Sequence, residues 1–273
     1  MVTSGLSTSR LPRFPFTLVD ETTTARKRAV LAVAVTGPPD KAPERIAGMF
    51  DAIAPRYDLL NHLLSAGIDK RWRANAIRSL QLTGRETLVD VATGTADVAI
   101  EARRAGQGGA ARVLGVDFAG GMLSLGLRKV RAAGESSRIA LVRGDAMSLP
   151  AATASADAVT ISFGIRNVQQ PDVACREMAR VLRPGGRLAI LEFGVPIIPG
   201  VSALYLWYFK QVLPRIGRLI SGHTGAYSYL PASVGTFPPP DEFVKILRQS
   251  GFTDVRAVPL TLGIVYLYVG RKP

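Results

Sequence analysis

The chain has 273 residues, 47% of them hydrophobic, which is enough for a globular domain with a buried core. One cysteine and two histidines exclude an internal disulfide and predict no metal site, and no apolar run approaches the roughly 20 residues of a membrane-spanning helix. An excess of 34 Lys and Arg over 21 Asp and Glu gives a net charge of +13, which suits a nucleic acid or an anionic membrane surface as partner.

The first 40 residues are rich in Ser, Thr, Arg and Pro, and we expect them to form a flexible basic tail. Within this tail, "ARKRAVLAVAV" imitates a secretory signal, but its apolar run is at the lower limit for one, so we expect a cytoplasmic protein. Residues 41–273 form the predicted main domain, which opens with a helical cap over 41–82. In this cap one helix runs from Pro43 to about Ala54 and a second from Asp69 to Leu80.

Strands and helices alternate in the middle of the chain. The β-rich runs are "ETLVDVA", "RVLGVDF", "RIALVRG", "DAVTISF" and "RLAILEF". Helices that begin near Asp97, Gly120 and Pro171 separate several of them, and "RPGG" is expected to end the third helix and turn the chain into the fifth strand. Such alternation predicts an α/β fold, with a mostly parallel sheet and helices on both faces.

The C-terminal part begins with a predicted insertion over 199–240. It consists of an aromatic-rich helix after Pro199 and a loop, rich in Gly, Pro and Tyr, that ends near Pro240. The helix "DEFVKILRQSG" follows. The last two β-rich runs, "DVRAVPLTL" and "IVYLYVGRK", are joined too closely for a crossover helix, so they are predicted to form an antiparallel pair at the sheet edge.

Polar and small residues follow the first four predicted strands. They are Asp90, Gly94, Thr95 and Asp97 after the first strand, Asp117 after the second, Asp145 and Ala146 after the third, and Ser162, Arg166 and Asn167 after the fourth. In a doubly wound sheet, ligands bind outside the carboxyl ends of the strands, so these residues predict a site. We expect Asp97 also to cap the helix that it begins.

The turn "VATGTADVA" contains only one of the glycines of the dinucleotide pattern G-x-G-x-x-G, and its acids would repel a pyrophosphate. Asp117 can accept hydrogen bonds from both hydroxyls of a ribose, and Asp145 with the backbone N–H of Ala146 can meet an adenine edge. A ligand with an adenine, a ribose and a cationic tail, but no phosphate, fits these residues. The predicted cofactor is therefore S-adenosylmethionine.

These motifs resemble the class I methyltransferases and, more closely, the ubiquinone/menaquinone biosynthesis C-methyltransferase family. The resemblance covers about Pro43 to Lys272 and rests on "MFDAIAPRYDLLNHLLSAGIDKRWR", "VDVATGTADVA", "GVDFAGGML", "GDAMSLP", "TISFGIRNV", "RVLRPGGRLAILEF", "VLPRIGRLISG" and "AYSYLPASV". It implies a seven-stranded sheet and cofactor contacts at Thr95, Asp117, Asp145, Ala146 and Ser162. One departure is the turn T-G-T-A-D, where the family often has G-G-T-G-D; Thr93 and Ala96 are small, so we expect binding to be intact.

The resemblance implies methylation of a ring carbon of a polyprenyl quinol. Demethylmenaquinol is the favoured substrate, and the ubiquinol precursor of the family's other branch stays open. A dehydrogenase would need the missing glycines. Enzymes that methylate exocyclic base nitrogens resemble one another in one turn after the fourth strand, in which an acid or Asn is followed by Pro, Pro and an aromatic residue. This chain has "SFGIRN" there, so we expect no nucleic-acid partner. A non-catalytic partner protein would be expected to lack the cofactor acids.

The chemistry requires that the quinol hydroxyl lose its proton, because a phenolate pushes electron density into the ring. Arg166 and Asn167 are predicted to donate hydrogen bonds to that phenolate. The next candidates, as cavity walls or proton relays, are Tyr57, Tyr227 and Tyr229. We expect both histidines to be structural: His62 in a turn and His223 in a loop.

A segment without acids, "SALYLWYFKQVLPRIGRLI", places aromatic residues beside Lys and Arg. This composition predicts contact with an anionic membrane surface, at the inner face of the cell membrane. A lid helix over the site explains the same segment equally well, and the two roles are compatible. A homodimer also stays open.

Overall fold

A computed structural model describes residues 41–105, 109–196, 198–208, 211 and 224–273. The predicted tail over residues 1–40 lies outside the described residues. The described helices are α1 Pro43–Leu64, α2 Asp69–Ser79, α3 Asp97–Arg104, α4 Gly120–Ala132, α5 Pro171–Val181, α6 Pro199–Trp207, α7 Thr224–Thr236 and α8 Pro240–Gln249. The strands are β1 Thr87–Val91, β2 Arg112–Asp117, β3 Ile139–Arg143, β4 Ala156–Ser162, β5 Leu182–Phe193, β6 Thr253–Leu260 and β7 Val265–Arg271.

The strands form one seven-stranded sheet in the order β3-β2-β1-β4-β5-β7-β6. Strands β1 to β5 are parallel to one another, whereas β7 runs antiparallel to both β5 and β6. This confirms the predicted α/β fold with a closing antiparallel pair. The strand order reverses at β1, which lies between β2 and β4, and the crevice at such a reversal is where doubly wound sheets bind ligands.

Successive residues of each strand face opposite sides of the sheet, and each side has its own core. Val89 and Val91 of β1 pack into one core with Met178 and Phe243, whereas Leu88 packs into the other with Trp72. At the carboxyl end, Val91 pairs with Val116 of β2 and with Ile161 of β4. The turns that follow these three strands therefore leave the sheet at one level and meet.

Helix α1 is longer than the sequence pattern predicts, because it continues past Ala54 and through Pro55 to Leu64. A proline inside a helix removes one backbone donor, but α1 packs along α4, and this tertiary contact compensates for the lost bond. His62, predicted in a turn, consequently lies in the last turn of α1.

Two other predicted boundaries were wrong. "RPGG" lies inside β5, which begins directly after α5, and it forms an irregularity in the pairing with β4 where Gly185 has φ +77°. The second half of the insertion, predicted as a loop, contains helix α7, in which Pro231 is internal. Burial of Ala232 and Val234 outweighs the weak helix propensity of this segment.

Candidate functional site

Two adjoining cavities lie at the carboxyl ends of the parallel strands. The smaller, of about 90 Å³, lies over the turns that follow β1, β2, β3 and β4, and we call it the small cavity. The larger, of about 230 Å³, lies between α1, α2, the turn after β4, and helices α6 and α7, and we call it the large cavity. Phe50, Tyr57 and Phe163 line both, so the two cavities share a wall.

The small cavity brings together predicted site residues from all four strand ends. They are Gly94, Asp117, Asp145, Ala146, Ser162 and Asn167. The parallel strands explain this convergence, because their carboxyl ends share one edge of the sheet.

Asp117 is the most constrained acid of the small cavity. Its Oδ2 accepts a hydrogen bond from the Gly94 N–H at 2.8 Å, and its Oδ1 accepts one from the Ala119 N–H at 2.9 Å. Burial raises the pKa of this carboxyl group above its ordinary value. Each carboxylate oxygen can accept a further hydrogen bond, so Asp117 retains acceptors for a diol.

The far side of the small cavity offers further polar groups. Asp145 accepts a hydrogen bond from the Met147 N–H at 2.8 Å. The hydroxyl of Ser162 and the side-chain oxygen of Asn167 are buried and have no hydrogen-bond partner among the described residues. Buried polar atoms normally have partners, so these two are suited to a bound ligand. The cavity fits a ligand that brings hydrogen-bond donors and positive charge.

Two predicted residues of the first turn, Asp90 and Thr95, take other positions. Asp90 is 1% exposed and accepts hydrogen bonds from the hydroxyls of Thr93 at 2.6 Å and Thr160 at 2.7 Å. Its burial raises the pKa to about 6. Thr95 donates its hydroxyl to Asp58 at 2.6 Å. Neither Asp90 nor Thr95 is among the described residues that line either cavity. Both therefore support the turn through their hydrogen bonds, without facing a cavity.

The predicted capping role of Asp97 was wrong. The N-cap position is Ala96, whose φ is +66°, and no side chain caps the helix. The Asp97 carboxylate instead forms an ion pair with Lys129 and lies 3.4 Å from Arg73. Two adjacent cations attract the carboxylate away from the helix end.

Ion pairs connect the four helices that surround the first turn. Lys129 of α4 pairs with Asp58 of α1 at 2.8 Å and also with Asp97 of α3. Arg73 of α2 pairs with Asp97 and, at 2.5 Å, with Asp69. The helices of the predicted cap are therefore fastened to the turn after β1.

The large cavity is mainly aromatic and aliphatic. Helix α1 contributes Met49, Ile53, Tyr57 and Asn61, which recur every four residues and so form one stripe of the helix. The other apolar and aromatic walls are Phe50, Ile68, Trp72, Phe163, Phe193, Tyr205, Tyr208, Tyr229, Leu230 and Ile264. Such a lining suits a flat apolar ligand.

Arg166 supplies a fixed positive charge to the large cavity. It lies in the short helical turn Ile165–Asn167 and is 6% exposed. Its Nη1 donates to Glu192 Oε1 at 2.7 Å and to the carbonyl of Phe163 at 2.5 Å, and its guanidinium lies 5.4 Å from the ring centroid of Phe193. Its Nε is buried and has no partner among the described residues. Arg166 is therefore held rigidly, and its Nε–H remains available as a donor.

Sequence reasoning missed Glu192, which is 0% exposed and neutralises Arg166. A signal was present, because an acid near the end of the apolar run "RLAILEF" requires a buried partner. Nothing in the sequence pointed to the positive φ of Phe163.

The remaining candidates have mixed positions. Tyr57 lines both cavities, and burial raises the pKa of its hydroxyl; Tyr229 lines the large cavity. The side chain of Tyr227 and the whole of His223 lie outside the described residues. His62 Nδ1 lies 2.8 Å from Asp69 Oδ2.

No cluster of three or more metal-ligating side chains occurs among the described residues. None of the helices in this part of the chain has the length and apolarity needed to cross a bilayer.

Sequence comparisons give close relatives. The model of the ubiE/COQ5 methyltransferase family matches residues 40–272. The "Ubiquinone/menaquinone biosynthesis C-methyltransferase UbiE" of Syntrophotalea carbinolica is 51% identical over 224 residues, which are 82% of this chain and 92% of the relative. The "Demethylmenaquinone methyltransferase" of Thermus thermophilus is 44% identical over 225 residues, 82% of this chain and 100% of the relative.

Solved structures with the same fold are more distant in sequence. A putative methyltransferase in complex with the Haloferax volcanii Trm112 methyltransferase activator has a TM-score of 0.57 at 18% identity, covering 82% of this chain and 97% of that one. Phosphoethanolamine N-methyltransferase 2 of Haemonchus contortus, in complex with S-adenosyl-L-methionine, has a TM-score of 0.56 at 15% identity, with coverage of 74% and 52%. At these identities the likeness is one of fold.

Proposed function

We propose, since the chain belongs to the ubiE/COQ5 methyltransferase family, that it methylates a ring carbon of demethylmenaquinol. The observation that carries this proposal is the unpartnered Nε of Arg166 at the wall of a large apolar cavity, beside a small cavity lined with acids. The relatives of Thermus thermophilus and Deinococcus radiodurans, both named as demethylmenaquinone methyltransferases, support the choice of substrate.

The methyl donor of this family is S-adenosylmethionine, which supplies an electrophilic methyl group on a positively charged sulfur. We assign it to the small cavity, where Asp117 would accept the ribose hydroxyls and Asp145 with the Ala146 N–H would meet the adenine. The unpartnered Ser162 hydroxyl and Asn167 oxygen are acceptors that suit its donors. Acidic residues also suit a cationic ligand, because opposite charges attract strongly at partly buried positions.

The acceptor quinol is assigned to the large cavity, against the aromatic side chains of Phe163, Trp72 and Phe193. Arg166 Nε would donate a hydrogen bond to the hydroxyl oxygen that is losing its proton. A charge-assisted hydrogen bond from the guanidinium stabilises the ionised form of a neighbouring phenol, which lowers the pKa of the phenol and so favours the nucleophilic phenolate. The proton would pass to a water, with the hydroxyls of Tyr57 and Tyr229 as further candidates for relays.

The donor in the small cavity and the acceptor in the large cavity would meet at the shared wall. Holding the two reactants in line replaces a bimolecular encounter with a positioned reaction, which is a large part of catalysis by such enzymes. Aromatic and aliphatic walls also exclude water from the reacting groups.

A polyprenyl acceptor resides in a membrane, so we propose that the enzyme works at the membrane surface. Leu204 and Trp207 of α6 are 65% and 56% exposed, while Tyr205 and Tyr208 of the same segment line the large cavity. The segment thus has one side on the cavity and an exposed apolar side, which supports both the lid and the membrane contact. Phe209, Lys210, Arg215 and Arg218, part of the same expectation, lie outside the described residues.

The proposal is tested with purified protein, S-adenosylmethionine, and either a reduced 2-prenyl-1,4-naphthoquinone or a reduced prenyl benzoquinone. Mass spectrometry is expected to show a ring-methylated naphthoquinol, formed faster than the benzoquinol product. In the Arg166→Ala variant, turnover should fall by about 10²-fold or more, as is typical when an oxyanion donor is removed. Asn167 lines the small cavity and not the large one, so Asn167→Ala should instead weaken the binding of the methyl donor.

Affinity for S-adenosylhomocysteine should stay unchanged in Arg166→Ala, because Arg166 does not line the small cavity. Arg176→Ala, which removes an exposed guanidinium on α5, is the matched control. Absence of any methylated naphthoquinol with wild-type protein would refute the proposed function.

A further inference from the structure

Phe163 has an unusual backbone for an aromatic residue. It follows β4 directly and has φ +58°, a left-handed conformation that is unfavourable for any residue with a Cβ atom. Both of its backbone groups are held: the N–H donates to the Leu191 carbonyl at 2.8 Å, and the carbonyl accepts from Arg166 at 2.5 Å. Strain that is fixed so firmly beside a cavity indicates a function for the ring that it places.

The ring of Phe163 belongs to the wall shared by the two cavities. Its centroid lies 4.7 Å from that of Phe193 and 6.0 Å from that of Trp72, and these two side chains line the large cavity only. The ring is thus supported from the large cavity and faces the place where donor and acceptor would meet.

A deprotonated quinol can be methylated at two places. If the ring carbon attacks, a C–CH₃ bond forms while the S–CH₃ bond breaks, and the ring hydrogen then leaves as a proton. If the phenolate oxygen attacks, an O–CH₃ bond forms while the S–CH₃ bond breaks, and the product is a methyl ether. The oxygen carries more negative charge, so charge alone favours the ether, and methylation of carbon depends on position.

We infer that Phe163 is the positioning residue that selects carbon over oxygen. Its flat ring is the surface on which the acceptor ring lies, so that the carbon faces the small cavity while the oxygen stays beside Arg166. The same residue orients both groups, because the Phe163 carbonyl also holds the Arg166 guanidinium. This inference rests on the proposed function.

The test compares Phe163→Leu, Phe163→Gly and Phe163→Tyr with wild type. Leucine keeps the Cβ but has no flat ring, glycine removes both the ring and the backbone strain, and tyrosine keeps a flat ring. With the reduced 2-prenyl-1,4-naphthoquinone, the ratio of methyl ether to ring-methylated product should rise about tenfold or more in Phe163→Leu and Phe163→Gly, since a displacement of about 1 Å is enough to slow one pathway by about 10²-fold. Phe163→Tyr should keep the wild-type ratio.

Phe237→Leu is the matched control, because it removes a buried ring that lines neither cavity. A second readout needs no methyl donor. In a Trp207→Phe background, Trp72 is the remaining tryptophan, and bound 2-methyl-1,4-naphthoquinone should quench its fluorescence. The affinity obtained in this way should fall severalfold in Phe163→Leu and Phe163→Gly and stay near the wild-type value in Phe163→Tyr.

The inference is overturned if the folded Leu and Gly variants keep the wild-type product ratio, or if Phe237→Leu raises the ether as much as they do. It is also overturned if neither variant folds, because the ring would then be a requirement of the fold. Failure of the proposed function is a different result: wild-type protein would methylate no quinol at all.

Discussion

The carboxyl group of Asp117 is the residue on which cofactor affinity should depend most. Hydrogen bonds to a charged group contribute about 1.5–3 kcal/mol each, so Asp117→Ala should lower the affinity for S-adenosylmethionine tenfold or more. Asp117→Asn, which keeps one acceptor, should have an intermediate effect. Asp172→Ala, which removes an exposed acid on α5, should leave the affinity unchanged. Calorimetric titration of folded variants measures this, and an unchanged affinity in Asp117→Ala would remove Asp117 from the site.

Asp90 should make stability depend on pH. Its pKa is about 6 in the folded protein, raised by burial from 3.8, so the folded state holds the proton more tightly than the unfolded state. Its contribution to stability is therefore fully present below about pH 4 and is lost as the pH rises through about 6. Asn at this position does not ionise. The melting temperature of Asp90→Asn minus that of wild type should therefore rise between about pH 4 and pH 6 and stay constant at higher pH. A difference in melting temperature that does not vary with pH would contradict this account.

The sequence allowed prediction of the site residues at strand ends better than of those that depend on backbone conformation. Gly94, Asp117, Asp145 and Ser162 were predicted to lie together, and they do, because a parallel sheet brings the ends of its strands to one edge. The left-handed Phe163 was not predictable, since its conformation is imposed by contacts with distant parts of the chain.

Helix α1 is the element that completes both cavities, and its attachment to the core should therefore control ligand binding. Lys129 lies between the carboxylates of Asp58 on α1 and Asp97 on α3. In Lys129→Met these two acids would repel each other without a cation between them. Affinity for S-adenosylmethionine should fall severalfold, and backbone amides of α1 should exchange hydrogen faster.

The matched control for this variant is Arg128→Met, an exposed neighbour on the same helix. It removes the same charge without touching the ion pairs. Equal effects of Lys129→Met and Arg128→Met would show that the lost charge, rather than the attachment of α1, is responsible.

The elements themselves were predicted with unequal success. The alternating strands and helices gave the correct sheet because their hydrophobic patterns are local and strong. The end of α1 was placed too early, at Ala54, because Pro55 normally ends a helix, whereas packing against α4 carries this one on to Leu64. Helix α7 was predicted as a loop because it contains Pro231, and a proline normally interrupts a helix.

At the scale of the whole molecule, the net charge of +13 and the exposed apolar side of α6 both favour an anionic bilayer. The protein should float with liposomes that contain phosphatidylglycerol at low salt and be released at 1 M salt, where charges are screened beyond about 3 Å. The double variant Leu204→Ser, Trp207→Ser should float less well. Leu127→Ser, at an exposed apolar position on α4, is the control. Lack of association at low salt would exclude the membrane contact.

The wall of Phe50, Tyr57 and Phe163 is common to both cavities, so we expect the two binding events to be cooperative. A ligand that orders these side chains from one cavity lowers the entropy lost when the other is filled, and thermodynamic linkage requires the gain to be equal in both directions. S-adenosylhomocysteine should thus tighten the binding of 2-methyl-1,4-naphthoquinone by some factor. The quinone should tighten the binding of S-adenosylhomocysteine by the same factor. If the dissociation constant of each ligand is the same with and without the other ligand in paired titrations, the two cavities act independently. An enzyme with this coupling holds its acceptor most firmly when the cofactor cavity is filled, and it releases a quinol sooner while that cavity is empty.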